Sequence, residues 1–296
     1  MDNRYFNLPE NPDYNANPSS NFARYITGLI EGDGSIVVPK TERSEKGKLN
    51  YPSIQITFNS KDVPLALIIQ KCLGHGSLSK KKGINAYILT INNYTGLLLL
   101  VSLLNGNMRT PKIHSLWLLI DWLNSRFTNL NLMKAPLNSD PIMESPWLAG
   151  FIDADGHFSI RTTTRNYIKI ECKFELSQRQ IDHNGHDNLY FLQVIAESLL
   201  TTVKNIRLNN PKPEYRLRTT SLQGNINLEN YLNKYPLFSA KYLDYKDWLE
   251  VLSLFKLGQH LSPLGVEKIV SIKSGMNNRR TIFIWDHLQN FYNLEN

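Results

Sequence analysis

The feature of this sequence that most restricts its fold is a short motif that occurs twice. Residues 26–36 read ITGLIEGDGSI and residues 148–158 read LAGFIDADGHF. Each copy is an apolar run with small residues inside it, closed by the pattern acid, small, acid, Gly. The copies open roughly equal parts of a 296-residue chain. The most economical interpretation is a duplicated unit.

The small residues of each copy fall on one face of a predicted helix, which allows a second helix to approach closely. The best partner for each motif helix is the helix of the other motif copy. Packed about a pseudo-twofold axis, the two helices end together and bring Asp33 and Asp155 side by side at their negative C-termini. The small residues predicted to form this interface between the halves are Gly28, Gly32, Gly150 and Ala154.

Two neighbouring carboxylates repel each other and must share a proton or bind cations. A site made only of oxygen donors suits Mg²⁺, Mn²⁺ or Ca²⁺ better than zinc, and such a site suits phosphodiester hydrolysis. The earlier acid of each copy, Glu31 or Asp153, lies on a different side of its helix, so we interpret it as a structural hydrogen-bond partner.

The two halves share one order of predicted elements: motif helix, two strands, helix, two strands and two helices. This order predicts an α+β tandem repeat with a pseudo-twofold axis. The predicted divisions are a flexible leader (1–23), an N-terminal domain (24–130), a linker (131–146), a C-terminal domain (147–257) and a C-terminal helical extension (258–296).

Composition narrows the class of partner. The formal net charge of +7 favours a polyanion, and the basic residues cluster in predicted strands and hairpin loops. No apolar run reaches the length of a membrane helix, and the N-terminus lacks the pattern of a secretion or import signal. We therefore expect no membrane partner.

The paired motifs, each followed by the same elements, resemble those of the LAGLIDADG homing endonucleases, in the single-chain, double-motif form encoded in fungal organellar introns. The resemblance implies αββαββα domains whose two antiparallel sheets form a DNA-binding saddle. It implies metal binding by Asp33 and Asp155 with the backbone carbonyls of Gly32 and Ala154. The expected cofactor is Mg²⁺, with Mn²⁺ as a substitute and Ca²⁺ supporting binding without cleavage. Further catalytic groups carried over from the family are Ser60, Gln178, Lys112 and Lys241.

The resemblance also implies a monomer that makes a double-strand break with 3′ overhangs in a long, asymmetric DNA target, promoting intron mobility in mitochondria. Strand alternation indicates which side chains face DNA. In the first half they are Ser35, Val37, Lys40, Ser53, Gln55, Thr57, Asn59, Lys80, Lys82, Asn85 and Tyr87. In the second half they are His157, Ser159, Arg161, Thr163, Glu171, Lys173, Glu175, Arg207, Asn209, Arg216 and Arg218.

Three other functions are open from the sequence. The first is an RNA maturase that assists splicing of its host group I intron, alone or in addition to cleavage. The second is a DNA-binding regulator, which would be expected to have lost a motif aspartate. The third is a glycosidase with two carboxylates, which needs neither a repeat nor basic strands.

Overall fold

The computed structural model describes residues 20–127, 129–163 and 169–292. Its element order is that of the predicted repeat. The first half contains α1 (Asn21–Asp33), β1 (Gly34–Val37), β2 (Ser53–Asn59), α2 (Val63–Leu73), β3 (Ser77–Lys80), β4 (Ala86–Ile91), α3 (Tyr94–Leu104) and α4 (Ile113–Arg126). The second half contains α5 (Trp147–Asp155), β5 (Gly156–Thr163), β6 (Lys169–Arg179), α6 (Leu189–Ser198), β7 (Val203–Ile206), β8 (Glu214–Arg218), α7 (Leu222–Lys234) and α8 (Lys241–Lys256). A further helix, α9 (Pro263–Ser274), follows.

Two boundaries differ from the predicted ones. Helix α1 begins at Asn21, within the predicted leader, because Ser20 Oγ accepts a hydrogen bond from Ala23 N at 3.1 Å and caps the helix. Residues 1–19 of that leader lie outside the described residues. The sequence pattern predicts that the penultimate helix of the second half starts near Asn227. This helix, α7, begins instead at Leu222, because Ser221 Oγ caps Gly224 N at 3.0 Å.

Each half forms a four-stranded antiparallel sheet, in the order β1-β2-β4-β3 or β5-β6-β8-β7. The registers correspond, since the Gly that ends each motif pairs with Ile56 in the first sheet and with Leu176 in the second. One face of each sheet carries buried apolar residues, such as Ile54 and Ile56 of β2, and α1 packs on that strand. The motif helices α1 and α5 make the most extensive contact between any two elements.

The C-terminal extension spans both halves. Arg280 forms ion pairs with Asp244 (2.9 Å) and Asp247 (2.5 Å) on α8. Farther along, the Phe291 ring packs edge-on against Tyr25 of α1 and Phe238 of the second half. The extension therefore braces the contact between the halves. No helix among the described residues has the length and apolarity needed to cross a membrane.

Candidate active site at the paired helix ends

The motif helices touch backbone to backbone. A Cβ atom built on Gly28 would lie 1.9 Å from the Trp147 carbonyl oxygen, and one on Gly150 would lie 2.0 Å from the Tyr25 carbonyl oxygen. Any side chain at either position would hold the helices apart. Both glycines therefore lie where the two motif helices touch, at the predicted interface.

The close approach continues to the C-termini of both helices. A Cβ on Gly32 would lie 2.2 Å from Ala154 Cβ and 3.0 Å from Asp155 Oδ2. Asp33 immediately follows Gly32 as the last residue of α1. The structure therefore brings the two motif aspartates together at adjacent helix ends, as the duplicated sequence predicts.

The raised pKa values of Asp33 and Asp155 show that ionising both carboxylates at this site is unfavourable. Burial, followed by the Asp155 charge, raises the pKa of Asp33 to about 7, although Lys241 and Lys112 act in the opposite direction. Burial also raises the pKa of Asp155, opposed by Lys241, Gln178 and Lys112. More than a third of the Asp33 surface is open to solvent. Water can therefore reach the site and screens part of the repulsion between the Asp33 and Asp155 carboxylates.

The remaining motif acids are structural, as predicted. Glu31 accepts hydrogen bonds from Arg109 N (3.0 Å), Thr110 N (2.7 Å), Thr110 Oγ1 (2.6 Å) and Trp147 Nε1 (2.6 Å). Arg109 and Thr110 lie just before α4, and Trp147 is the first residue of the opposite motif helix, α5. Burial raises the pKa of Glu31, and the hydrogen bonds from these partners oppose that rise.

Asp153 is bound in the same way in the second half. It accepts from Phe238 N (2.7 Å), Ser239 N (3.1 Å), Ser239 Oγ (2.5 Å) and the Tyr25 hydroxyl (2.7 Å). Each half therefore contributes one aromatic side chain, Tyr25 or Trp147, to the buried acid of the other. Sequence reasoning missed both aromatic partners, although each lies eight residues before Asp33 or Asp155 in its own copy of the motif.

Lys112 and Lys241 lie at the same helix ends. Lys112 Nζ donates to the carbonyl oxygens of Ile30 (2.8 Å), Glu31 (2.7 Å), Gly32 (3.3 Å) and Gly34 (2.7 Å). An ammonium group there satisfies C-terminal carbonyls that have no partner within the helix and offsets the negative helix dipole.

The second lysine repeats this arrangement on α5. Lys241 Nζ donates to the carbonyl oxygens of Ile152 (3.2 Å), Asp153 (2.9 Å) and Ala154. Burial lowers the pKa of both lysines, and carboxylates including Asp33 and Asp155 raise it. The structure thus places both predicted lysines beside the aspartate pair.

The site is asymmetric at its third component. Gln178 Nε2 donates to Asp155 Oδ2 at 2.6 Å, which places this predicted residue at the site. We expected Ser60 as its counterpart, but the strand register matches Gln178 with the buried Phe58. Ser60 lies in a 3₁₀ turn after β2, and its buried hydroxyl has no hydrogen-bond partner. The first half therefore has no amide at the Gln178 position.

The oxygen atoms at this site fit a divalent cation that takes only part of its ligands from side chains of the protein. Within the described residues, no group of three or more His, Cys, Asp or Glu side chains is placed to hold a metal ion. Asp33 and Asp155 supply two carboxylates, and a bound cation would relieve the repulsion that raises their pKa. Carbonyl oxygens have two lone pairs, so the Gly32 and Ala154 carbonyls remain possible donors beside the lysines. Oxygen-only ligation of this kind suits Mg²⁺ or Ca²⁺.

The polar face of the first sheet contains most of the predicted DNA-facing residues. Ser35 lies opposite Gln55, and Val37 lies opposite Ser53; residues directly opposite each other share a face. Thr57 and Asn59 continue this row along β2. Lys40, Lys82 and Asn85 lie in exposed loops.

Two first-half assignments were wrong. Tyr87 lies directly opposite the buried Phe58, and Lys80 lies opposite Tyr87, so both belong to the face that packs on the helices. The polar face at these strands instead carries Ser79 and Ile88. The cause is the loop between the strands, which breaks the alternation on which the prediction depended.

In the second sheet, His157 lies opposite Glu175, Ser159 opposite Lys173, and Arg161 opposite Glu171. The register also places Thr163, Arg216 and Arg218 on this face. Charges here are paired: Arg218 Nε lies 2.7 Å from Glu175 Oε1, although its N–H is not aligned for a hydrogen bond.

Three second-half residues differ from expectation. Lys173 is only 6% exposed, because its ammonium is held 2.7 Å from Glu171 rather than presented to solvent. Arg207 and Asn209 lie in the loop after β7, where Arg207 has a φ of 56° and ends the alternation. Lys204, which the sequence reasoning missed, lies opposite Arg216 on the polar face.

A sequence profile of the LAGLIDADG endonucleases matches residues 26–123 and 148–252, once in each half. The chain belongs to this family. The intron-encoded DNA endonuclease aI3 of Saccharomyces cerevisiae is 30% identical over an alignment that covers 100% of this chain and 77% of that protein. The intron-encoded RNA maturase bI4 of the same organism is 26% identical, over 60% of this chain and 25% of that protein.

Solved structures of LAGLIDADG homing endonucleases confirm the fold. I-GzeII in complex with its DNA target superposes with a TM-score of 0.67 at 19% identity, covering 87% of this chain and 99% of that one. I-SmaMI bound to uncleaved DNA in the presence of calcium ions gives a TM-score of 0.64 at 19% identity, covering 86% and 98%. The α+β fold with two antiparallel sheets is therefore that of the two-domain LAGLIDADG proteins.

Proposed function

We propose that this LAGLIDADG protein is a site-specific homing endonuclease that makes a double-strand break with 3′ overhangs in a long, asymmetric DNA target. The observation that carries the proposal is the convergence of Asp33 and Asp155 at adjacent helix ends, beside two lysines and between two sheets with polar faces. Two carboxylates that approach so closely, at a site open to solvent, are suited to bind cations rather than to stabilise the fold.

Mg²⁺ is the proposed cofactor, held by Asp33, Asp155 and the carbonyls before them, with Mn²⁺ as a substitute. When bound, it would supply charge neutralisation and activation of water at the scissile phosphate. The side chains of this chain have separate tasks. Gln178, already hydrogen-bonded to Asp155, orients the attacking water, and the two lysines place positive charge where the phosphate gains negative charge.

The two sheets differ in the chemistry that they offer to DNA. The first face presents hydroxyl and amide groups, as in Ser35 and Gln55, whereas the second presents arginines and acids, as in Arg216 and Glu175. Bases are read by such groups in the major groove, and lysines in loops contact phosphate. The differing faces support a target without palindromic symmetry.

One chain contains both motifs and therefore a complete pair of aspartates, which supports action as a monomer. The intron-encoded relatives support a protein made and used in mitochondria, where it would promote mobility of its intron. Size-exclusion chromatography with light scattering should give the mass of one chain when the protein is free and when it is bound to one DNA duplex.

A second candidate is an RNA maturase that assists splicing of the host group I intron, favoured by the similarity to the maturase bI4. Intact aspartates do not exclude this role, and both activities can reside on one scaffold.

The test is incubation of the purified protein with DNA that spans the intron insertion site of an allele without the intron. We expect cleavage with Mg²⁺ or Mn²⁺, binding without cleavage with Ca²⁺, and no cleavage of the same DNA interrupted by the intron. Mapping both ends should show 3′ overhangs. No cleavage of any member of a broad target library, together with tight binding of the host intron RNA, would replace the endonuclease proposal with the maturase.

A further inference from the structure

The two halves differ at one backbone position beside the paired lysines. Residues 110–112 (Thr-Pro-Lys) and 239–241 (Ser-Ala-Lys) occupy equivalent places, since each begins with a hydroxyl bound to a motif acid and ends with the lysine of the site. The middle residue is Pro111 in the first half and Ala240 in the second. Proline has no backbone N–H, so only Ala240 can donate a hydrogen bond there.

The Ala240 N–H is held by the opposite half of the molecule. It donates to Asp62 Oδ1 at 2.7 Å, and Asp62 ends the 3₁₀ turn after β2. Ala240 is the N-cap of α8 and supplies no side-chain cap of its own. A carboxylate at a helix N-terminus satisfies a free donor and complements the positive end of the dipole. The first half therefore caps the helix whose first residue is Lys241.

The reciprocal contact is absent. Asp62 and Asp182 correspond in strand register, because each lies six residues beyond the strand residue that pairs with the motif glycine. Asp62 directly precedes α2, whereas Asp182 lies in the longer loop before α6. Asp182 Oδ1 accepts from Asn184 N (2.8 Å) and His186 N (2.9 Å) in its own loop. With Pro111 at the start of α4, no N–H is available to Asp182 at the matching place.

We propose that Asp62 is a positioning residue for Lys241, acting across the domain boundary through the Ala240 N–H. The inference rests on the proposed endonuclease function and deepens it. Asp62 fixes the first turn of α8 and thereby the ammonium that lies on the α5 carbonyls. Cleavage of the DNA strand served by Lys241 then depends on this contact between halves, whereas cleavage served by Lys112 does not.

The contact can be removed from either side. Asp62→Ala removes the acceptor, and Asp62→Asn keeps an oxygen in its place. Ala240→Pro removes the donor and copies the first half; the φ of −56° at Ala240 lies in the range of proline. Asp182→Ala is the matched control, since it removes the corresponding carboxylate without touching an α-helix cap.

The assay measures the nicking rate of each strand of an end-labelled duplex carrying the cleaved target, with Lys241→Ala used to identify the dependent strand. We expect Asp62→Ala and Ala240→Pro to slow that strand about 10-fold and the other less than about 2-fold. Asp62→Asn should keep the wild-type ratio of the two rates. Asp182→Ala removes a charge that acts on Lys112, and it should leave the rate of the Lys241-dependent strand unchanged. The double variant Asp62→Ala with Ala240→Pro should be no slower than either single one, because both remove one contact.

Equal slowing of both strands, as expected from a general loss of stability, would overturn the proposal, as would the same effect from Asp182→Ala. A readout independent of cleavage is amide hydrogen exchange of ¹⁵N-labelled protein. Exchange at Ala240 should accelerate in Asp62→Ala and not in Asp182→Ala, and unchanged exchange would refute the contact. If the wild-type protein cleaved no DNA, the endonuclease proposal would fall separately, and the exchange result would still decide whether Asp62 holds α8.

Discussion

The contact between the motif helices makes Gly150→Ala a demanding test of the structure. The added Cβ would lie 2.0 Å from the Tyr25 carbonyl oxygen and 2.9 Å from Leu29 N. A carbon needs about 3.3 Å from such an oxygen, so the helices would have to separate by roughly 1 Å. Both nearest atoms belong to backbone, and rotation of a side chain cannot relieve the clash.

The expected loss follows from two opposing effects. Overpacking costs about 3 kcal/mol when it must move backbone, and alanine in place of glycine returns about 1 kcal/mol within a helix. The net loss of about 2 kcal/mol corresponds to a melting temperature lower by roughly 3 °C for a chain of this size. Because the same shift moves Asp155 relative to Asp33, DNA cleavage should fall about 100-fold at temperatures where the variant is folded.

The assay is thermal unfolding followed by circular dichroism, with cleavage measured on the same preparations. Gly275→Ala is the matched control: its Cβ would meet only the Ile272 carbonyl oxygen at 3.7 Å, an ordinary contact. The control should melt within about 1 °C of the wild type. The reasoning is refuted if Gly150→Ala melts and cleaves like Gly275→Ala.

Three further predictions concern charge, the buried acids and the sheet faces. Because the pKa of Asp33 is raised to about 7, the folded protein in EDTA holds a proton that the unfolded chain has released. The stability that this proton contributes is therefore lost as the pH rises from about 4 through 7. Asp33→Asn should make the melting temperature depend less on pH over this range. An unchanged dependence would contradict the raised pKa of Asp33. Glu31→Gln puts an amide NH₂ among four donors and should lower the free energy of unfolding, measured in urea, by about 2–4 kcal/mol. Asp33→Asn, at a residue with more than a third of its surface open to solvent, should cost far less. Arg216→Ala should weaken DNA binding in Ca²⁺ by about 10-fold or more in a titration, while Tyr87→Phe, on the other face of its sheet, should bind like the wild type.

The duplicated motif was enough to predict the arrangement of the site. Small residues at helical spacing required two helices in contact, and the aspartates that follow them then had to meet. The order of elements followed from changes between the periodicities of strands and helices. These features depend on local patterns and on one symmetry relation, which a sequence displays directly.

The errors arose where the chain leaves regular structure. Arg207 has a positive φ and ends strand alternation, and the β3–β4 loop reversed the expected face of Tyr87. Lys173 lies on the predicted face, but its ion pair with Glu171 depends on a neighbour that alternation does not identify. The cap from Asp62 to Ala240 joins residues far apart in the chain, so only the folded structure reveals it.

The central claim is that Asp33 and Asp155 act together in one metal-dependent site. Its most direct test is cleavage of the intronless insertion site by Asp33→Asn and Asp155→Asn in Mg²⁺, with binding of the same duplex measured in parallel in Ca²⁺. Each single variant should lose double-strand cleavage by at least about 1000-fold while it stays folded and bound to DNA. Cleavage at the wild-type rate by either variant would contradict the claim.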